Sequence, residues 1–408
     1  MSDTAPDTAP DTATVTMPST ATTAEQYALL RTSAGWCTPY VSLVRIEGME
    51  RADVLARLLA RDSAYVEPDT VRDSLVLEED GAIRDVVTHI ELDESSWLFS
   101  PSRPDLAELV RETVRACGVA EAVTVTDAAE DHVAVAFEGP ASWRIAEKLL
   151  DEEISGLVLH GVGHVRLDGT DCVMARTGTT GEYGYLLIAP RPADAAAWVA
   201  EQARSLGGGR VGADALARAR GEVRHPVLPE LTEGLSVREA GLEWLVSWGR
   251  EDPFRGSAAL AACDRRARGL TPVLLAASEQ ASAAVPAPVP APAPGTAVYA
   301  GDRRVGEVRW CAPAVGGPVV DVPAGGAPAG DVPADGVPAV DAPAGEGPAT
   351  VGPASGEPAG GGPVLAFAVL DAPFDVPGLD LVADGGTPVR TVSSPVVVPT
   401  SWSERLGD

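Results

Sequence analysis

The chain is 408 residues long, 45% hydrophobic and formally −28 at pH 7. That length accommodates two or three domains with a sizeable core, and the acidity argues against a nucleic-acid partner, because such a surface repels phosphate at long range. No run nears the roughly 18–20 apolar residues of a membrane span, the start of the chain carries no secretory signal pattern, and five scattered cysteines without a CxxC fit reduced thiols, so a cytoplasmic protein with no membrane partner and no metal site is expected.

In chain order, residues 1–24 repeat Asp-Thr-Ala-Pro and cannot bury enough apolar surface to order themselves. A helical pattern runs from Thr23 through Tyr27, Leu29 and Leu30, followed by a strand at Val41 to Ile46. An amphipathic helix comes next, with Val54, Leu55, Leu58 and Leu59 on one face. Leu75 to Ile90 reads as a hairpin turning at Gly81, Trp97 to Phe99 as a strand and Leu106 to Val114 as a helix. Strands at Val123 to Val125 and Val133 to Phe137 precede a helix over Ala141 to Leu150, and Val165 to Leu167 pairs with Cys172 to Ala175. Ala193 to Leu206 is another amphipathic helix. This alternation indicates mixed α+β layers over residues 25–265. Residues 266–295 read as a Pro/Ala-rich linker or strap. β segments on either side of a Pro-Ala-Gly-Asp repeat at 317–362 read as one sheet or barrel spanning 296–400, with the repeat inserted in a connecting loop and a short tail at 401–408.

The most informative segment is Arg176-Thr177-Gly178-Thr179-Thr180-Gly181-Glu182-Tyr183-Gly184-Tyr185-Leu186. Glycines recurring every three residues permit positive φ or close backbone approach, and the apolar run that follows is a strand. The segment resembles the R-x-G-Y-T-G-E-x-G-[FY]-E signature of the aminomethyltransferase family, which includes the glycine-cleavage T-protein and folate-dependent demethylases. Other motifs resemble the family's in the same order: Tyr27 to Ser33, Val44 to Gly48 with the helix to Asp62, Leu77 to Asp85, and Phe137-Glu138-Gly139-Pro140. They are followed by Glu239-Ala240-Gly241-Leu242, Asp252 to Leu260, and Gly301 to Gly306 with Val364 to Leu370. The resemblance implies an α+β aminomethyltransferase-type folate-binding fold: two α+β subdomains around a central cavity, plus a C-terminal β-barrel. It also implies tetrahydrofolate as cofactor, a small-molecule amine or related substrate, and a carrier protein as partner.

Some positions depart from the pattern. Asp85 retains the acid that the resemblance places nearest the reacting folate nitrogen, and Arg84 is read as replacing its acidic neighbour. Asp73 and Thr179 stand where relatives have Tyr, Leu186 where they have the pterin-binding Glu, and Ala213 and Ala219 where a downstream helix has Arg and Glu, with Arg218 and Arg220 close by. A leucine cannot make a carboxylate–pterin bond. Asp85 is therefore the candidate catalytic residue, and Gly178, Thr180, Gly181, Arg84 and Trp244 are the candidate cofactor contacts, whereas Glu182 reads as a structural acceptor of backbone hydrogen bonds. Arg84 either pairs with Asp85 or offers a fork to a substrate carboxylate. Trp244 and Trp248, at i and i+4, read as core packing, with Trp244 a possible pocket wall. His89 shares a strand face with Asp85 about 13 Å along the chain, too far for a direct dyad. Two functions follow: a diverged one-carbon transferase, or an accessory binding protein that keeps the cavity without transfer chemistry.

Overall fold

The computed structural model describes residues 21–262, 266–275, 291–313, 315, 364–403 and 406. The start of the Asp-Thr-Ala-Pro tail, Cys263, most of the proline strap and the whole 317–362 repeat lie outside the described residues.

The first helix, Thr23–Thr32, starts at a capping box. The Thr22 hydroxyl accepts from the Glu25 amide, and the Glu25 carboxylate accepts from the Thr22 amide. Five antiparallel strands follow, in the order Thr70–Leu77, Ile83–Glu91, Ser95–Ser100, Ser42–Glu47 and Thr124–Asp127. A second, six-stranded sheet runs Gly209–Arg210, Gly35–Cys37, His132–Glu138, Gly184–Pro190, Thr170–Ala175 and Val162–Leu167, with one parallel pair at its Gly35–Cys37 edge.

Period-2 alternation decides what each face meets. In Gly184–Pro190, Tyr185, Leu187 and Ala189 pack beneath the helix Ala195–Ser205, while Leu186 and Ile188 turn the other way. In Ser95–Ser100, Leu98 meets the helices Arg51–Leu58 and Leu106–Cys117, while Trp97 and Phe99 turn inward. The inward residues of both sheets form one apolar layer, so the body is stacked helix–sheet–sheet–helix.

Six strands close a barrel in the order Arg268–Leu275, Val364–Asp371, Arg303–Cys311, Ala297–Ala300, Asp380–Ala383 and Thr387–Thr391. Arg268–Leu275 falls inside the stretch read as linker, yet it pairs along its length with Val364–Asp371 and through Val273, Leu274 and Leu275 with Thr387–Thr391. Pro272, which has no amide to donate, hides it from pattern reading. The outward residues Leu270, Leu365, Phe367 and Val369 pack on Val227, Leu228, Leu231 and Leu245, seating the barrel on the segment that follows the helix Ala213–Val223. Among the described residues no helix is long and apolar enough to cross a membrane.

Candidate functional site

The glycine-rich segment is a buried turn joining Thr170–Ala175 to Gly184–Pro190. A Cβ on Gly184 would lie 2.4 Å from the Gly178 Cα, so only glycine lets the two arms of the turn meet. Glu138, at the end of its strand, fastens the turn. Its carboxylate accepts from the amides of Thr179 (2.7 Å) and Thr180 (2.8 Å) and from both hydroxyls.

Glu182 accepts from the amides of Thr400 (3.1 Å) and Ser401 (2.9 Å) and from the Ser401 hydroxyl, locking the segment after the barrel onto the turn. Arg31 ties both to the helix Ala213–Val223: it pairs with Glu182 at 3.1 Å and Glu222 at 2.8 Å, and donates to the Thr180 carbonyl. The structural reading of Glu182 agrees with this geometry. Gly178, Thr180 and Gly181, expected to touch cofactor, hold this turn together and are absent from the lining of the nearby cavity.

That cavity, about 710 Å³, lies between the start of the helix Ala213–Val223, the Thr38–Pro39 and Pro101–Ser102 corners, and the segment Leu228–Glu233. Ala213, Leu216, Ala217 and Arg220 face it together because they recur at i, i+3, i+4 and i+7. Arg220 is 6% exposed, and its Nε donates to the Thr179 hydroxyl at 2.9 Å.

Behind Arg220 lies a polar group that motif reading passed over. Asp73, on the inward face of its strand, accepts from the Thr88 hydroxyl (3.0 Å), which is itself bonded to the Tyr40 hydroxyl (3.1 Å). Its second oxygen is 3.5 Å from Nε2 of His225. Burial pushes the Asp73 carboxyl up to about 6, against the Thr88 bond and the positive charge of Arg220. Burial and Arg220 push His225 down to about 3. Its Nδ1 accepts from the Val227 amide, so the proton sits on Nε2 and the contact is a neutral imidazole against a carboxyl group, not an ion pair. Arg220 also biases Cys37, a cavity residue whose thiol burial raises to about 12 and so keeps protonated. The one signal in the sequence was Asp73 itself, an acid in place of an expected tyrosine.

Asp85 lies one wall away, in a narrow crevice with Val86, Pro101, Pro229 and Glu233, the last three of which (Pro101, Pro229, Glu233) it shares with the cavity. Its oxygens accept from the Ser100 and Ser102 hydroxyls and its own Val86 amide. Burial raises it to about 6 against these bonds. The Ser100 hydroxyl in turn accepts from the amides of Ser102 and Arg103, so Asp85 organises the corner that carries Pro101 and Ser102.

Arg84 borders the Asp85 crevice but makes no ion pair with Asp85 and is absent from the larger cavity's lining. Strand alternation sends it to the opposite face, where it pairs with Glu78 (2.9 Å) and Asp105 (2.5 Å). Counted through L-N-E-x-G-G-I-x-D-D from Leu77, Arg84 falls on the variable position and Val86 on the second acid; Val86 packs in the apolar core. Trp244 and Trp248 are not core either: they are 62% and 48% exposed. Glu243–Leu245 is a single 3₁₀ turn, so i and i+4 share no helical face, and Trp244 is absent from the cavity lining. His89 is fully buried and bonded to Glu91 at 3.2 Å. Among the described residues no cluster of three or more His, Cys, Asp or Glu is arranged to hold a metal.

Two α/β layers joined by a shared apolar core, a side cavity and a closed six-stranded barrel define an aminomethyltransferase-type fold. Residues 17–250 match the GCVT N-terminal domain, and the chain belongs to that family. It is 27% identical over 294 residues to the aminomethyltransferase of Streptomyces coelicolor, covering 71% of this chain and 77% of that one. It is also 27% identical over 242 residues to that of Geobacillus kaustophilus, where the match spans 58% of this chain and 66% of the relative. The crystal structure of the glycine cleavage system aminomethyltransferase T from Bartonella henselae superposes with a TM-score of 0.66 over 92% of this chain and 90% of that one, at 17% identity, a likeness of fold.

Proposed function

We propose that the chain is a folate-type one-carbon transferase acting on a small amine or related substrate, with its chemistry at the polar group around Asp73, behind the cavity residue Arg220. The observation that supports this reading is a half-buried carboxyl behind a cavity in this fold, bonded to Thr88 on one oxygen and 3.5 Å from His225 Nε2 on the other, with burial raising it toward neutrality. A group so poised takes a proton from an amine and returns it at neutral pH. We assign this role to Asp73, and to Asp85 the positioning of Pro101 and Ser102.

A tetrahydrofolate fits by size, since ligand cavities run roughly 300–1,000 Å³, and Arg210 suits its anionic end. Leu186, 1% exposed in the apolar layer, offers it no bond, and Asp73 is the acid facing the same inter-sheet space. Bound reduced folate supplies the nitrogen that carries the one-carbon unit. Arg210, on the cavity lining, would face its anionic end, while Asp73 manages the proton on the substrate amine.

The accessory reading has one observation in its favour: Leu186 is packed in apolar contact where relatives bind pterin. The two readings separate in a product assay. Purified protein is incubated with tetrahydrofolate and a panel of N-methylated amines and aminomethyl carriers, and the folate is examined by mass spectrometry. A one-carbon folate adduct, lost in Asp73→Asn, supports transfer; unchanged folate with every donor rejects it in favour of the accessory role.

A further inference from the structure

Arg220 differs from Arg218 and Arg31, two other arginines packed at its helix. Arg218 pairs with Glu222 at 2.7 Å, and Arg31, which crosses the same helix, pairs with Glu182 and Glu222. Arg220 is as buried as Arg218 (6% against 5% exposed), yet no carboxylate among the described residues lies within ion-pair distance of it. In a chain with 59 acidic residues this is not for want of acids. Asp73 and Glu138 act on Arg220 only from beyond contact distance, and only one of its five donors, Nε–H, is used inside the protein among the described residues, leaving its terminal nitrogens free for a partner.

Two features of the surroundings point the same way. Arg220 lines the cavity together with Arg210, which stacks over Trp36. The 11-residue helix that bears Arg220 opens into the same cavity at Gly212 and Ala213; Gln26 accepts from the Gly212 amide at 2.6 Å, and the partial positive end of the helix faces the space too.

We infer that the cavity contains a binding site for the carboxylate group of a small ligand, with the two terminal nitrogens of Arg220 as its fork. With Nε held by Thr179, those nitrogens are presented side by side, which matches the two oxygens of a carboxylate better than a tetrahedral anion. Thr179 thereby orients the fork, and Glu138 orients Thr179 at 2.7 Å. The inference rests on the cavity and not on transfer chemistry, although it gives the small amine of the preceding section a carboxylate. Its test needs no folate, so it can fail while transfer stands, and the reverse.

The test is isothermal titration of the full-length protein with acetate, with inorganic phosphate and with methylammonium, at constant ionic strength set by sodium chloride. Saturable acetate binding is expected, with phosphate weaker and methylammonium silent. Arg220→Gln should weaken acetate at least about tenfold, the loss of a charge-assisted pair, and Arg220→Lys should weaken it less, keeping charge without the fork. Circular dichroism checks that both fold. If Arg220→Gln does not fold, Ala213→Glu, at an exposed first-turn position on the cavity rim, places a competing carboxylate there and should also weaken acetate at least about tenfold. Acetate heats no different from sodium chloride, phosphate binding tighter than acetate, or undiminished acetate binding in the folded Arg220 variants or in Ala213→Glu would overturn the inference.

Discussion

Replacing Asp73 with asparagine should make the protein more stable at neutral pH while abolishing the proposed transfer. The carboxyl stands near 6 in the fold and at 3.8 when exposed, a gap of roughly 2 units, and each unit corresponds to about 1.4 kcal/mol. Ionised Asp73 therefore costs the folded state roughly 3 kcal/mol at pH 7. Asparagine keeps an acceptor for Thr88 but turns its amide toward the protonated Nε2 of His225 and loses the attraction of Arg220, so we expect a net gain of about 1–2 kcal/mol.

The sign follows from the raised pKa. The stability that Asp73 contributes is fully present below about pH 4, where both states are protonated, and is lost as pH rises through 6. Urea unfolding followed by tryptophan fluorescence at pH 4, 5 and 7, on wild type and Asp73→Asn together, isolates this term because other groups cancel in the difference. The gap should open between pH 4 and 6 and stay level above. A variant that is less stable than wild type by the same amount at every pH refutes the buried-carboxyl argument.

Other outcomes follow from the same contacts. Glu138→Ala leaves the buried amides of Thr179 and Thr180 without acceptors and should destabilise by about 3–5 kcal/mol, read as a fall of roughly 10 °C in melting temperature. Gly184→Ala forces the two arms of the turn apart and should cost about 2–4 kcal/mol in urea unfolding. Trp244→Ala, on an exposed ring, should change stability by less than about 0.5 kcal/mol and leave ligand titrations unaltered.

The fold was legible because its motifs are local. Glycines that permit Gly178 and Gly184 to touch, a capping box at Thr22, and alternating strands such as Gly184–Pro190 each act within a few residues of sequence. The site was less so, because its groups meet only through tertiary packing. Tyr40, Asp73 and the Arg220–His225 turn come from three segments far apart in sequence, and nothing in their spacing announces a shared cleft. Arg84 and Asp85 are neighbours in sequence but project to opposite faces, so motif adjacency misled. Trp244 and Trp248 assume a helix that the chain does not form, since Gly241 ends the preceding turn at φ 68°. Asp85, the acid that motif order singles out, has its oxygens bonded to Ser100, Ser102 and the Val86 amide, which is why the proposed function gives the proton-handling role to Asp73.

The central claim, that a reduced folate occupies the cavity beside Arg220, is tested most directly by calorimetric titration of tetrahydrofolate into wild type and into Ala213→Trp. Ala213 is exposed at the start of its helix and lines the cavity, so the indole fills the space without entering the core. Saturable binding to wild type that vanishes in Ala213→Trp is the expected result. Binding of equal strength to both proteins, or to neither, contradicts the claim.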